Sequence, residues 1–375
     1  MKKILTVVLL VLVVATTIVC TGCDKKKDDD VIRIGAILPL TGQSGFLGVG
    51  YKNAMDSAVD YLEKNRTNSN YSLQLICEDS GLKSSNAISI ANKLIQSDKC
   101  DVIIAANSNI VDAVLPITER SKIPLLAISS TPDMTQRSPN LFRVWMNAID
   151  QVKLISSEIV NKRYKNIALI YINNEYGKVI EHIVKQEIPQ EKLILLPYEP
   201  NVKDFKNELL KIRHSNVDCF YIEGNPSEYV TLIKQIRELG FQQEIYGSSG
   251  LGVNFVYTAL ADNLDKVYFS APSSIGNAHN NKIAEYFNSD FQNRNNSDPE
   301  WFFGFCFDQI LFIDEGVKIM KQNNSNNLIT SLISVKSFKG VNGEITIDEY
   351  GDSKSINSLY FFENGIPKLM IEANK

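Results

Sequence analysis

The side chains best suited to chemistry are few and poorly spaced for it. His182, His214 and His279 are the three histidines of the 375-residue chain and lie in unrelated segments. None belongs to a His-Glu-x-x-His pair, and beyond the leader no two cysteines stand three residues apart, so no metal centre is expected. Gly247-Ser248-Ser249-Gly250 lacks the final glycine of a nucleophile elbow, and no glycine-rich loop ends in Gly-Lys-Ser or Gly-Lys-Thr. Gly48-x-Gly50 and Gly250-x-Gly252 lack the third glycine of a dinucleotide fingerprint and read as turns. Asp79, Glu175 and Asp308 are scattered carboxylates, expected to cap turns or face water. Neither an enzyme nor a cofactor is expected. An exported hydrolase using a serine of the 247–250 turn is the weakest alternative, because no His-acid pair is placed to orient it.

What remains is the chemistry of binding. Asn107, Ser108 and Asn109 follow the apolar run DVIIAA, and Ser129, Ser130 and Thr131 follow PLLAI. Polar turns at the carboxyl ends of parallel strands, where helix N-termini present unpaired N–H groups, suit an anion such as a carboxylate. The bland alternative makes Ser108 or Asn109 a helix cap and Thr131, before Pro132, a turn residue.

Positioning those turns requires strands and helices in alternation, and the chain supplies them. IRIGAIL, YSLQLIC, DVIIAA and PLLAIS are separated by segments with apolar residues at helical spacing, such as Tyr51, Ala54, Met55, Ala58, Val59 and Leu62. After Asp150 the cycle restarts with NIALIYI, KLILLPY, DCFYIEG, EIYGSSG and KVYFSAP. The expected fold is α/β, two similar lobes each with a parallel sheet flanked by helices. Expected boundaries are 31–148 with 273–345 for lobe 1, and 149–272 with 346–375 for lobe 2. Asn-rich patches near residues 65–70, 288–296 and 323–327 read as surface turns.

Composition is that of a chain that folds, with 44% apolar and 22% charged residues. Its length suits two domains of roughly 100 to 200 residues. With 39 Lys and Arg against 43 Asp and Glu, it offers no basic footprint for nucleic acid. Lys2 and Lys3 precede an apolar stretch from Ile4 to Val19, short for a membrane span of about 20 residues, which reads as an export signal over residues 1–22. Gly22 before Cys23 resembles the lipobox of bacterial lipoproteins. That likeness implies acylation of Cys23 and a polar tether over residues 23–30, holding the domain to a membrane outside the cytoplasm. Cys77 ends one strand-like run and Cys100 begins the next, so both are expected as free, buried thiols; Cys219 and Cys306 read as small core residues.

IRIGAILPLTGQSGFLGVGYKNAMDSAVDYLEK resembles the opening of the extracytoplasmic leucine/isoleucine/valine-binding protein family. LQLICEDSG, IPLLAISSTPDMT, FRVWMNAIDQ, IALIYINNEYGK and GVNGEITIDEYGD follow in that family's order, from about Ile32 onward. The resemblance implies lobes joined by three hinge crossings, closing on a small polar ligand (an amino acid, amide or related carboxylate) for an ABC importer, with the protein a monomer. A ligand-sensing receptor component is the alternative use of the same fold. It also implies ligand contacts at Ser44 and Phe46, at Ser108 beside the Asn107 already singled out, at the Ser129, Ser130, Thr131 turn, at Tyr176 as an aromatic cover, and at Asn225. Amino-acid binders of the family carry an acid at the position of Ser249, where it pairs with the ligand's ammonium group. With serine there, Glu223 is the nearest replacement, unless it is a strand-end surface charge.

Overall fold

The computed structural model describes residues 31–42, 44–66, 70–200, 202–272, 281–354 and 357–371. The expected signal, the acylated Cys23 and the tether lie outside the described residues, as does His279. The first unit runs β1 (Val31–Leu38), α1 (Gly45–Asn65), β2 (Ser72–Asp79), α2 (Ser84–Gln96), β3 (Val102–Ala106), α3 (Ser108–Ser121), β4 (Leu125–Ile128) and β5 (Leu141–Phe142). The second runs α4 (Ala148–Asn161), β6 (Ile167–Ile172), α5 (Glu175–Glu187), β7 (Leu193–Tyr198), α6 (Lys206–Lys211), β8 (Cys219–Glu223), α7 (Pro226–Glu238), β9 (Glu244–Gly247), α8 (Asn254–Leu260) and β10 (Val267–Pro272). Then follow α9 (Lys282–Asn295), α10 (Phe303–Gln322), α11 (Leu328–Ser334), β11 (Ser337–Gly340), β12 (Gly343–Ile347), β13 (Ser353–Lys354), β14 (Asn357–Glu363) and β15 (Ile366–Ile371).

The first five strands form one parallel sheet in the order β2-β1-β3-β4-β5. The next five repeat that plan, β7-β6-β8-β9-β10, again parallel. In each sheet the first strand of the unit lies between the second and third, which creates a switch point at its carboxyl end. Two additions were not legible as such. β14 and β15 extend the second sheet antiparallel to β10, and β11-β12-β13 make a small antiparallel sheet of their own. Residues 346–354 stand in or beside that small sheet, so the second sheet regains the chain only at Asn357, later than the boundary expected at 345/346.

Alternation along the strands assigns the cores. Ile32, Ile34, Ala36 and Leu38 of β1 face α1 and α10, while Ile37, with Ile103 and Ala105 of β3, faces α2 and α3. All five residues of β3 and of β8 are buried, as expected for strands covered on both faces. The four described cysteines are free. Cys77, expected to be buried, is only half-buried, because β2 is the sheet's edge strand.

Three passages join the lobes: after β5, after β10, and between β13 and β14. The first runs beside residues 351–353, which lead into the third. Arg143 N–H donates to the Gly351 carbonyl at 2.9 Å and Ser353 N–H to the Arg143 carbonyl at 2.8 Å. The lobes also touch through Glu300, whose Oε2 accepts from the Asn254 amide at 3.0 Å.

Candidate functional site

On the first lobe, pairing of Ala106 with Ile128 brings the ends of β3 and β4 level. Asn107 then turns the chain with φ +84°, and its Oδ1 accepts from the Asn109 amide at 3.1 Å, capping α3. Ser108 Oγ lies 2.8 Å from Ser129 Oγ and 2.8 Å from Thr131 Oγ1, and Ser129 Oγ donates to Thr131 Oγ1 at 3.1 Å. The structure thus gathers Ser108, Ser129 and Thr131 into one triangle of hydroxyls. Each has one rotatable proton and two lone pairs, so the three can turn their protons onto a single carboxylate-sized acceptor. Ser130 points elsewhere: its Oγ accepts from Trp145 Nε1 at 3.2 Å.

At the neighbouring turn, Asp79 holds Leu40 and Thr41 in place. Its Oδ1 accepts from the amides of Leu40 at 2.8 Å and Gly81 at 2.9 Å, and Thr41 Oγ1 donates to Oδ2. The Thr41 hydroxyl, with the backbone amides, keeps this carboxyl below the usual range. Ser44 begins α1, its carbonyl accepting from Leu47 and Gly48, while its side chain caps nothing. Phe46 beside it is 55% exposed, a large apolar side chain more than half open to solvent.

On the second lobe, Asn174 Oδ1 accepts from the Gly177 amide at 2.9 Å and starts α5 immediately after β6. Gly177 is required there, because a Cβ would stand 1.7 Å from the Ile172 carbonyl oxygen. Tyr176 lies in this first turn and is half-buried. Glu223 ends β8 and is 1% exposed, so the surface-charge reading is wrong for it. Tyr229 donates to its Oε2 at 3.2 Å, and the Tyr229 oxygen lies 2.9 Å from Ser248 Oγ. Oε1 has no hydrogen-bond partner, and among the described residues no ion pair reaches Glu223. Burial pushes its carboxyl up to about 7, against the opposing pull of the Ser248, Tyr229, Tyr221 and Tyr176 hydroxyls.

Two expected residues are engaged in the scaffold. Asn225 is an exposed cap of α7, its amide donating to Glu228 Oε2 at 2.9 Å and its Nδ2 to the same oxygen at 3.2 Å. Ser249 is buried; its amide donates to Gln151 Oε1 at 3.0 Å and its hydroxyl to Met146 Sδ at 3.2 Å. It ties the first passage to α4. For the serine-hydrolase alternative, Ser248 is committed to Tyr229, Ser249 to Met146, and His182 to Gln186 within α5.

Sequence reasoning missed Arg143, Trp145, Tyr229 and Asp352. Arg143 is fully buried; its Nη1 donates to the carbonyls of Ser129, at 3.2 Å, and Thr131, while its Nε and Nη2 take the two oxygens of Asp352. It therefore clamps the backbone under the hydroxyl triangle. The signal was present: one arginine inside the apolar run LFRVWM demands a buried acceptor set. A groove of about 1560 Å³ opens at the opposite pole, lined by Arg33, Lys99, Lys122, Asn140 and Lys321. It faces the amino ends of the strands, away from the helix N-termini that attract anions.

A family model described as periplasmic binding protein matches residues 31–364. The chain belongs to that family. This periplasmic binding protein is 24% identical over 343 residues to the Leu/Ile/Val-binding protein BraC3 of Rhizobium johnstonii, covering 89% of the chain and 92% of the relative. It resembles the solved structure of the branched-chain amino acid transporter substrate-binding protein LivJ of Streptococcus pneumoniae in complex with isoleucine, at TM-score 0.78 and 20% identity, over 91% of this chain and 99% of that one. A solute-binding protein of an ABC transporter from R. palustris in complex with benzoate matches at TM-score 0.76 and 18% identity, over 91% and 96% of the two chains. Such likeness establishes the type I periplasmic-binding fold for this protein: α/β lobes with helix-flanked parallel sheets.

Proposed function

We propose that this protein captures a small polar solute bearing a carboxylate or amide, such as an amino acid, between its lobes. It then presents that solute unaltered to an ABC importer, as a monomer held to the outer face of a membrane by acylated Cys23. The observation that carries the reading is the hydroxyl triangle of Ser108, Ser129 and Thr131 at the carboxyl ends of β3 and β4, matched on the other sheet by Tyr176 and the buried Glu223. A solute bridging both sets binds the closed arrangement more tightly and draws a pre-existing equilibrium toward it. Exposed Phe46 and half-buried Tyr176 supply apolar walls for its side chain. The relatives named for leucine, isoleucine and valine, and the neighbour holding benzoate, support a solute with a carboxylate.

Mass spectrometry of the protein purified without its leader, under native conditions and then denatured, identifies the cargo. A single released carboxylate or amide, with scattering that shows compaction when it is added back, is the expected result. Absence of compaction with every member of a metabolite library overturns the reading. For the anchor, palmitate labelling that disappears in Cys23→Ser, with release of the protein from the membrane fraction, is expected; unchanged fractionation overturns it.

A further inference from the structure

Away from the passages, a side chain of one lobe holds the backbone of the other. Glu300 stands in the first lobe, in the loop between α9 and α10, and Asn254 is the first residue of α8 in the second. Glu300 Oε2 accepts from the Asn254 amide at 3.0 Å. Neither residue lies in a segment that joins the lobes, so this bond depends on how the lobes stand and not on how the chain is threaded.

Both ends are mounted firmly on their own lobes. The Glu300 carbonyl accepts from the Phe303 amide at 2.9 Å, which ties it to the start of α10, and Trp301 beside it packs edge-on against Phe302 and Phe305. Across the gap, the Tyr257 hydroxyl donates to Asn254 Oδ1, and Val256 and Leu260 bury α8 in the core of the second lobe. A carboxylate on such a mount cannot follow α8 when the lobes part.

The helix has use for that acceptor. The first turn of a helix leaves amides without partners inside it, and the residue before α8 is Val253, whose side chain offers no acceptor where Ser, Thr, Asp or Asn is usual. Glu300 supplies the cap from the opposite lobe, and its charge makes the bond stronger than a neutral one. Burial raises the Glu300 carboxyl above the usual range, against the pull of the Asn254 amide, as befits a group that has given up water to reach its partner.

We propose that Glu300 is the latch of the two lobes: by capping α8 across the gap it favours the closed arrangement and slows the escape of a captured solute. Its purpose rests on the solute-binding reading above, although the contact itself does not. Glu300 is a positioning residue, acting on the backbone of the opposite lobe. Because the bond is made only when the lobes meet, it shifts the equilibrium toward closure with or without solute. Dissociation requires opening and is slowed by the same factor.

The test combines hydrogen exchange, scattering and stopped-flow kinetics on the leaderless protein, Glu300→Ala and Glu300→Gln. The Asn254 amide is expected to exchange about tenfold faster in Glu300→Ala than in wild type, the scale of a lost helix cap. Without added solute, Glu300→Ala is expected to scatter with a larger mean radius. Isoleucine and benzoate, held by two structural neighbours, serve as probes beside whatever solute co-purifies. A probe that binds is expected to leave Glu300→Ala about tenfold faster and Glu300→Gln about threefold faster, since the amide carbonyl still accepts but carries no charge. Equal exchange of Asn254 in wild type and Glu300→Ala overturns the proposal. So does a lower thermal midpoint with unchanged dissociation, which would make Glu300 a scaffold residue. If no probe binds and nothing co-purifies, the solute-binding reading falls, while exchange at Asn254 still decides the latch.

Discussion

Arg143 and Asp352, 209 residues apart in sequence, form a two-pronged ion pair between the first passage and the stretch that enters β13, at 2.8 Å from Nε to Oδ1. The same guanidinium holds the carbonyls of Ser129 and Thr131. One buried side chain thus fastens the hinge and orders the turn that carries the hydroxyl triangle. Burial raises the Asp352 carboxyl above the usual range despite Arg143, as expected when desolvation competes with pairing.

Arg143→Ala should therefore be among the most damaging single changes. It leaves Asp352 buried without its partner and two carbonyls without donors, a loss of about 3–5 kcal/mol. Urea denaturation of the leaderless protein measures it. Arg143→Lys should recover only part of that, because an ammonium cannot reproduce the planar fork. Stability within about 1 kcal/mol of wild type in Arg143→Ala would show that the pair is not integral to the fold.

Ser108→Ala removes the hydroxyl shared by Ser129 and Thr131. Those two retain each other at 3.1 Å, so unliganded stability should change by less than about 1 kcal/mol. Affinity for the co-purifying solute should fall about 10- to 100-fold, equivalent to roughly 1.5–3 kcal/mol. Calorimetry separates the two effects, and equal losses in stability and affinity would argue for a scaffold role.

Gly177→Ala should damage stability and binding together. The new Cβ meets a backbone carbonyl rather than a flexible side chain, so α5 must shift at its first turn, where Tyr176 sits. A cost of about 1–3 kcal/mol is expected. Chemical denaturation and calorimetry measure it, and a wild-type midpoint would mean that β6 and α5 are less tightly joined than the geometry requires.

Glu223 and Asp308 are both buried, and burial pushes each up to about 7. The sign follows from proton counting. Between the ordinary carboxylate range and about 7, the folded state holds protons that the unfolded chain has released. Their contribution is greatest below that range and is lost as pH rises toward neutrality. Denaturant midpoints at pH 5 and pH 8 should show a smaller fall for Glu223→Gln than for wild type. An unchanged difference would mean that Glu223 titrates normally.

The strands and helices were legible in the sequence because their apolar residues carry two clean periods. Ile32, Ile34 and Ala36 alternate for a strand, while Ile110, Val111, Val114 and Ile117 lie at helical spacing. Alternation of the two patterns is enough to demand parallel sheets, and parallel sheets put the polar turns after β3 and β4 at one end. For that reason the turns 107–109 and 129–131 could be named together in advance, but not which of their residues would meet: Ser130 turns to Trp145, while Ser129 and Thr131 meet Ser108. β14 and β15 could not be assigned, since a strand's period says nothing about which sheet it joins or in which direction.

Tertiary structure alone decided which polar groups are spent and which are available. Ser249 and Asn225 stand at suggestive positions, yet Met146 and Glu228 occupy them. Glu223 and Arg143 look alike in a sequence, each a single charge beside apolar neighbours, but Arg143 is paired with a carboxylate and, among the described residues, Glu223 has only the Tyr229 hydroxyl. Periodicity is a local property of the chain and survives in its spelling. Hydrogen-bond partners and burial depend on residues tens to hundreds of positions away, brought together only when the lobes and their passages pack.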